Sequence, residues 1–162
     1  MYKVMAVNCG SSSLKYKLYE MPEEKVLCSG NVERIGLEEG IFGIKYDGSK
    51  VEERLPIPDH AVGAKLVLEA LTKYGIVSDL DEIKCVGHRV VQGGKYFDHS
   101  AEFDQHNADI IESLTPLDPL HAPAHITGWR AFRKALPGVP AIAVFDTAYH
   151  QTMEEEDYLF PI

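Results

Sequence analysis

Apolar and polar residues alternate with a period of two through the first part of the chain. Leu14, Tyr16 and Leu18 stand against Lys15, Lys17 and Tyr19, which predicts a half-buried strand over residues 14–20. The apolar run before it predicts another strand over residues 3–8, and the pair reads as a hairpin. Residues 25–34 fit a third strand. Phe42 to Tyr46 and Val51 to Leu55 fit two short strands around the turn at Asp47-Gly48.

The period then lengthens. Asp59 is placed to cap a helix from His60 to about Tyr74, with an apolar stripe of Val62, Leu66, Leu68 and Leu71 and a stop at Gly75. Ile83 to Val91 reads as a buried strand. Asn107 to Leu114 reads as a helix that stops before Pro116, and Ala122 to Ala135 as another that ends near Pro137-Gly138. Val139 to Phe145 is a last buried strand. Early strands followed by alternating helices and strands predict an α/β fold with a mixed sheet.

Bulk properties narrow the function. The chain has 162 residues, enough for one domain with its own core. A net charge of −9 argues against nucleic acid or an anionic membrane as partner, so any phosphate must be attracted by local basic groups. No apolar run reaches the length that spans a bilayer, and the N-terminus lacks a signal-peptide pattern. Cys9, Cys28 and Cys85 show no C-x-x-C spacing and read as reduced thiols of a cytoplasmic protein, with Cys9 as a small buried residue. The chain closes on Tyr158-Leu159-Phe160-Pro161-Ile162 after an acidic run, an ending that predicts continuation of the natural chain.

The chemistry concentrates in the run Val4 to Lys15. An apolar strand ends in Asn8, a Gly10-Ser11-Ser12-Ser13 turn follows, and a second strand leaves through Lys15. Gly10 tolerates backbone angles other residues avoid and allows close approach to a ligand. Successive N–H groups, three hydroxyls and a lysine make an inventory for holding phosphate. There is no G-x-x-x-x-G-K-[ST] pattern, and a strand rather than a helix follows. For Gly-Ser alone, an ordinary hairpin turn is the competing reading.

Other candidates are scattered. Arg89 ends a strand, and its planar guanidinium suits a carboxylate or phosphate. Asp146 ends the last strand, where ligands of open α/β sheets gather. Val91 and Leu120 suit the wall of a small apolar pocket, although spacing alone favours core. His121 and His125 are four apart without an accompanying third metal ligand. We assign His121 a structural or substrate-lining role and His125 an unremarkable surface role, and expect His150 to stabilise a local turn. A Ser12-His88-Asp146 hydrolase lacks the G-x-S-x-G elbow.

Four segments in order carry a family resemblance: the run 4–15, Gly87-His88-Arg89-Val90-Val91-Gln92-Gly93-Gly94, Pro116-Leu117-Asp118-Pro119-Leu120-His121-Ala122-Pro123, and Val144-Phe145-Asp146-Thr147-Ala148-Tyr149-His150-Gln151. Together they resemble the acetate and propionate kinase family, of the superfamily that includes sugar kinases, actin and the large heat-shock chaperones. The resemblance implies a ribonuclease-H-like (actin-like ATPase) domain with a mixed sheet and flanking helices. It implies that residues 1–162 are the N-terminal domain of a two-domain kinase. The rest of the site, an adenosine pocket, a histidine, an arginine and a metal-binding glutamate, would lie in the second domain.

The resemblance further implies reversible phosphoryl transfer from ATP to acetate, giving acetyl phosphate and ADP, with Mg2+. Arg89, Val91, Leu120 and His121 would bind substrate. Gly10, Ser11, Ser12, Ser13 and Lys15 would face ATP phosphate, Asn8 would contribute to the Mg2+ site, and Asp146 would be catalytic. Acetate is already ionised at neutral pH, so positioning suits Asp146 better than proton abstraction. A homodimer formed mainly through the other domain is implied, with the isolated chain monomeric and inert. Propionate as substrate and a non-catalytic nucleotide switch of the actin and chaperone type are the competing readings.

Overall fold

Alternation along the early strands gives the sheet one greasy face and one polar face, and the domain is built on that division. The computed structural model describes residues 1–146. Its strands are β1 (Tyr2–Cys9), β2 (Leu14–Met21), β3 (Lys25–Glu33), β4 (Gly40–Tyr46), β5 (Ser49–Leu55), β6 (Ile83–Val90), β7 (Ala101–Glu102) and β8 (Ala141–Phe145). They form one sheet in the order β5-β4-β3-β2-β1-β6-β8-β7. β1 to β5 run as an antiparallel meander, whereas β1, β6 and β8 are mutually parallel neighbours. This is the expected mixed α/β sheet.

Three α-helices and a short 3-10 turn at Leu80–Glu82 complete the described residues: α1 (His60–Lys73), α2 (Gln105–Ser113) and α3 (Ala122–Ala135). α1 and α3 pack on each other, and α3 also lies against β1 and β6. Met5, Val7, Cys9, Leu14, Tyr16 and Leu18 are buried on that helix side with Val67 and Leu71 of α1 and Phe132 of α3. Each fully buried Leu or Phe contributes about 1.5–3 kcal/mol. A second cluster joins Val90, Ile111, Ile126, Trp129 and Phe145. In it the Trp129 Nε1–H donates to the Phe103 carbonyl at 2.7 Å, so the buried indole is satisfied.

Local signals set the boundaries. The Asp59 carboxylate accepts from the Val62 N–H at 2.9 Å, as its N-cap position predicts. The α1 stripe differs from expectation: Ala64, Val67 and Leu71 are its deepest members, while Val62 and Leu66 are half-buried. The small residues Gly63 and Ala64 let the helix settle with that face inward. α2 begins at Gln105, two residues earlier than expected, because Asp104 accepts from the Asn107 N–H at 2.8 Å. The strand β7 carries no sequence signal of its own, being two residues held against β8. The expected roles of Thr147 to Gln151, His150 and the C-terminal residues 153–162 lie outside the described residues.

Candidate active site

The polar face of the sheet is open. Asn8 of β1 stands beside Lys15 of β2, Lys15 beside Asn31 of β3, and Lys17 beside Ser29, which in turn pairs with Lys45 of β4. With Arg89 these residues line a cleft of about 400 Å³. All four charged side chains in that lining, Lys15, Lys17, Lys45 and Arg89, are cationic. A chain of net charge −9 therefore concentrates positive potential at one place, where low-dielectric walls focus it.

Strand alternation decides what faces the cleft. Arg89 is exposed on this side, and its neighbour His88 is buried on the helix side against Phe103 and Phe132. Asp146, just beyond β8, comes back to Arg89. The Arg89 Nε–H lies 3.1 Å from each Asp146 carboxylate oxygen, and Nη2 lies 2.7 Å from Oδ2. That hydrogen bond, more than the charge itself, holds the guanidinium above its ordinary pKa. A Ser12-His88-Asp146 triad is excluded, because His88 points away from Asp146 through the sheet.

The Gly-Ser turn sits at the end of β1. The Gly10 N–H donates to the Ser13 carbonyl at 2.9 Å, and the Ile35 N–H donates to the Ser12 carbonyl at 3.0 Å. The His60 Nε2 lies 2.7 Å from the Gly10 carbonyl oxygen. Two expectations about Gly10 need correction. Its φ is not positive, and a Cβ there would meet only the Ser13 Oγ, at 2.8 Å, which a turn of the Ser13 hydroxyl can relieve. Its N–H is engaged within the turn, so the available main-chain donors begin at Ser11. Ser11 and Ser12 are exposed and Ser13 is half-buried.

The remaining candidates form a second group. Val91 is half-buried beyond β6, and its N–H donates to His125 Nε2 at 3.1 Å. His125 was expected at the surface and is instead 3% exposed, because α3 turns it toward the sheet. Burial lowers its pKa, although the Asp118 carboxylate opposes the change. Its Nδ1 makes no hydrogen bond of good geometry, while the nearby Cys9 carbonyl favours the protonated ring. His121 stacks near His125 with ring centroids 6.2 Å apart, and its Nδ1 lies 2.8 Å from Asp118 Oδ1. Leu120 is 76% exposed, so within these residues it walls nothing.

Cys9 is buried with its thiol pushed up to about 12 by desolvation, which makes it a packing group and no nucleophile at neutral pH. Its sulfur fits against α3 only because residue 128 is glycine; a Cβ there would lie 2.3 Å from Sγ.

For a divalent cation, Asn8 offers one amide oxygen on the cleft face. Both Asp146 oxygens are engaged by Arg89. Among the described residues no three His, Cys, Asp or Glu side chains converge. A single amide oxygen is compatible only with a Mg2+ that would bring most of its shell as water and phosphate oxygen.

An α/β domain with a cationic cleft on the open face of its sheet, lined by the antiparallel strands β1 to β4 and by Arg89 at the end of the parallel strand β6, and flanked by a Gly-Ser turn, is built to bind anions. The chain belongs to the Acetokinase family, whose model matches residues 3–162. It is 52% identical over its whole length to an acetate kinase of Anoxybacillus flavithermus and covers 41% of that protein. The crystal structure of Porphyromonas gingivalis acetate kinase superposes with a TM-score of 0.92 at 41% identity, over 100% of this chain and 42% of that one. A propionate kinase from Francisella tularensis gives 0.88 at 33% identity, over 99% and 41%. The chain thus spans about two fifths of the length of the relatives it matches.

Proposed function

We propose that this chain is the first domain of a two-domain, ATP-dependent carboxylate kinase. It acts in the reversible transfer of the γ-phosphoryl group of ATP to acetate, giving acetyl phosphate and ADP. The reading rests above all on the convergence of Arg89 and three lysines on the cleft beside the Gly-Ser turn.

The carboxylate oxygen of acetate attacks the γ-phosphorus and the bond to the ADP oxygen breaks. An ionised carboxylate needs no base, so the protein's task is to position the reactants and stabilise equatorial charge. Arg89 does both. Asp146 holds the Nε and Nη2 edge of its guanidinium, and the Nη1 and Nη2 edge stays available for two parallel bonds to an oxyanion. Asp146 is thus a positioning residue. Ser11, Ser12, Ser13 and Lys15 face the ATP phosphates, and Gly10 lets the turn close tightly. Val91, Leu120 and His121 border the acyl group, Leu120 once the second domain covers it. Asn8 would help to hold a Mg2+ ion, which would supply charge neutralisation. Closure of the second domain excludes water, which otherwise competes as acceptor.

No helix among the described residues is long and apolar enough to cross a membrane. We place the protein in the cytoplasm, as a homodimer through its other domain, without nucleic acid as partner. Propionate is the second reading, favoured by the likeness to the Francisella enzyme. One methylene in an apolar pocket is worth only about 1–3 kcal/mol, so overlapping specificity is expected.

The test is acyl-phosphate formation from ATP, trapped with hydroxylamine, by the product of the reading frame continued beyond Ile162. Acetate, propionate and butyrate are compared. Activity strongest with acetate supports the proposal. Absence of activity with all three, in a folded protein that binds ATP, supports a nucleotide switch instead.

A further inference from the structure

Gly10 and Ser13 flank a two-residue loop, and such a loop ordinarily closes with the Ser13 N–H donating back to the Gly10 carbonyl. Among the described residues that bond is not made. The Gly10 carbonyl accepts from His60 instead, at 2.7 Å. A carbonyl oxygen only accepts, so Nε2 of His60 carries a hydrogen. His60 is the first residue of α1 and is buried on the helix side of the sheet.

A trans peptide is planar, with its C=O and N–H on opposite sides. The Gly10–Ser11 peptide turns its carbonyl toward α1, so the Ser11 N–H points the other way, toward the side of Asn8 and Lys15. The Ser12 carbonyl is likewise tied to the Ile35 N–H, which turns the Ser13 N–H outward. The first of these tethers comes from a side chain. Without it, the Gly10–Ser11 peptide is free to turn, and the outward Ser11 donor is lost while the Ile35 tether still holds the Ser13 N–H.

We propose that His60 is a positioning residue for the phosphate turn: its Nε2–H anchors the Gly10 carbonyl and so presents the Ser11 N–H to an anion. This role presupposes that residues 10–13 hold phosphate, as proposed above. His60 touches no substrate; it acts through the peptide it holds.

The experiment uses the complete protein that carries this chain. His60→Leu removes the donor, and His60→Gln keeps an amide N–H at similar reach. Leu is expected to raise the KM for ATP about tenfold, the loss of one net hydrogen bond of about 1.4 kcal/mol. The KM for acetate should stay within about twofold and Gln should restore most of the loss, since only the anchoring bond is removed. An unchanged KM for ATP in the Leu variant, or equal damage in both variants, overturns the proposal. Should the Leu variant not fold, the ring 15N spectrum of the wild-type protein decides: the Nε2–H tautomer supports the anchor and the Nδ1–H tautomer overturns it. A wild-type protein without acyl-phosphate synthesis refutes the function proposed above, whereas an active wild type with indifferent variants refutes only the role of His60.

Discussion

Arg89 and Asp146, 57 residues apart, meet edge to edge, with three donor–acceptor distances between 2.7 and 3.1 Å. They come from the ends of neighbouring parallel strands, whose register aligns Arg89 with Val144. Both side chains remain partly exposed, at 51% and 38%, so the pair is weak as a source of stability. Its value lies in orientation.

Asp146→Asn should therefore lower kcat by about 10- to 100-fold, as loss of a positioned charge does. If Asp146 abstracts no proton, the wild-type pH–rate profile shows no limb that the Asn variant abolishes. Arg89→Lys should cost still more, because a lysine ammonium cannot reproduce the two-edged fork. Steady-state acyl-phosphate formation by the variants measures both effects, and a wild-type activity in Arg89→Lys would sink the assignment.

His125 connects α3 to the segment after β6 through the Val91 N–H. His125→Leu leaves that half-buried donor unpaired and should cost about 1 kcal/mol of stability. His125→Gln, which offers an acceptor oxygen, should recover part of it. Urea denaturation of both variants gives the comparison, and equal midpoints would show that the acceptor is not what matters.

Acid should destabilise the domain before its carboxylates titrate. Burial pushes His88 down to about 3, with His125 nearby adding to the effect, and burial also lowers His125. Both folded values lie below the unfolded value of about 6.5, so the unfolded chain binds the proton first. Their stabilisation is complete above that value and is lost as pH falls below it, at up to about 1.4 kcal/mol per pH unit for each ring. The urea midpoint should fall between pH 7.5 and 5. His88→Phe keeps the edge-to-face contacts with Phe103 and Phe132 and should flatten that fall. A pH-independent midpoint in the wild type would contradict the buried neutral imidazoles.

Gly128 lets α3 approach the end of β1, where a Cβ would press on the Cys9 sulfur. Gly128→Ala should destabilise by about 1–3 kcal/mol through overpacking. Cys9→Ala in the same chain removes the sulfur but keeps the Cβ, which a Cβ at residue 128 would meet at 2.6 Å, so it should relieve only part of this, and a double-mutant cycle of thermal midpoints measures the coupling. Additive effects would mean that the helix shifts without meeting the sulfur.

Local chemistry alone determined most of the elements of this protein. Period-two alternation marked β2, an apolar run marked β1, the Asp47-Gly48 turn marked the β4–β5 hairpin, Asp59 marked the start of α1, and an apolar strand ending in Asn8 and a Gly-Ser turn marked an anion-binding candidate. Those signals survive because they involve residues within a few positions of each other. What crosses the sheet was not legible. His125 looked like a surface residue because nothing in Ala122 to Ala135 says which helix face meets β6. His60 looked like a mere helix start because its partner Gly10 lies 50 residues away. The strand order β2-β1-β6-β8 decided that Arg89 meets Asp146 and that His88 does not. Sequence fixes which groups a segment can offer, whereas hydrogen-bond register and helix packing, which are properties of distant segments brought together, decide which of those groups meet.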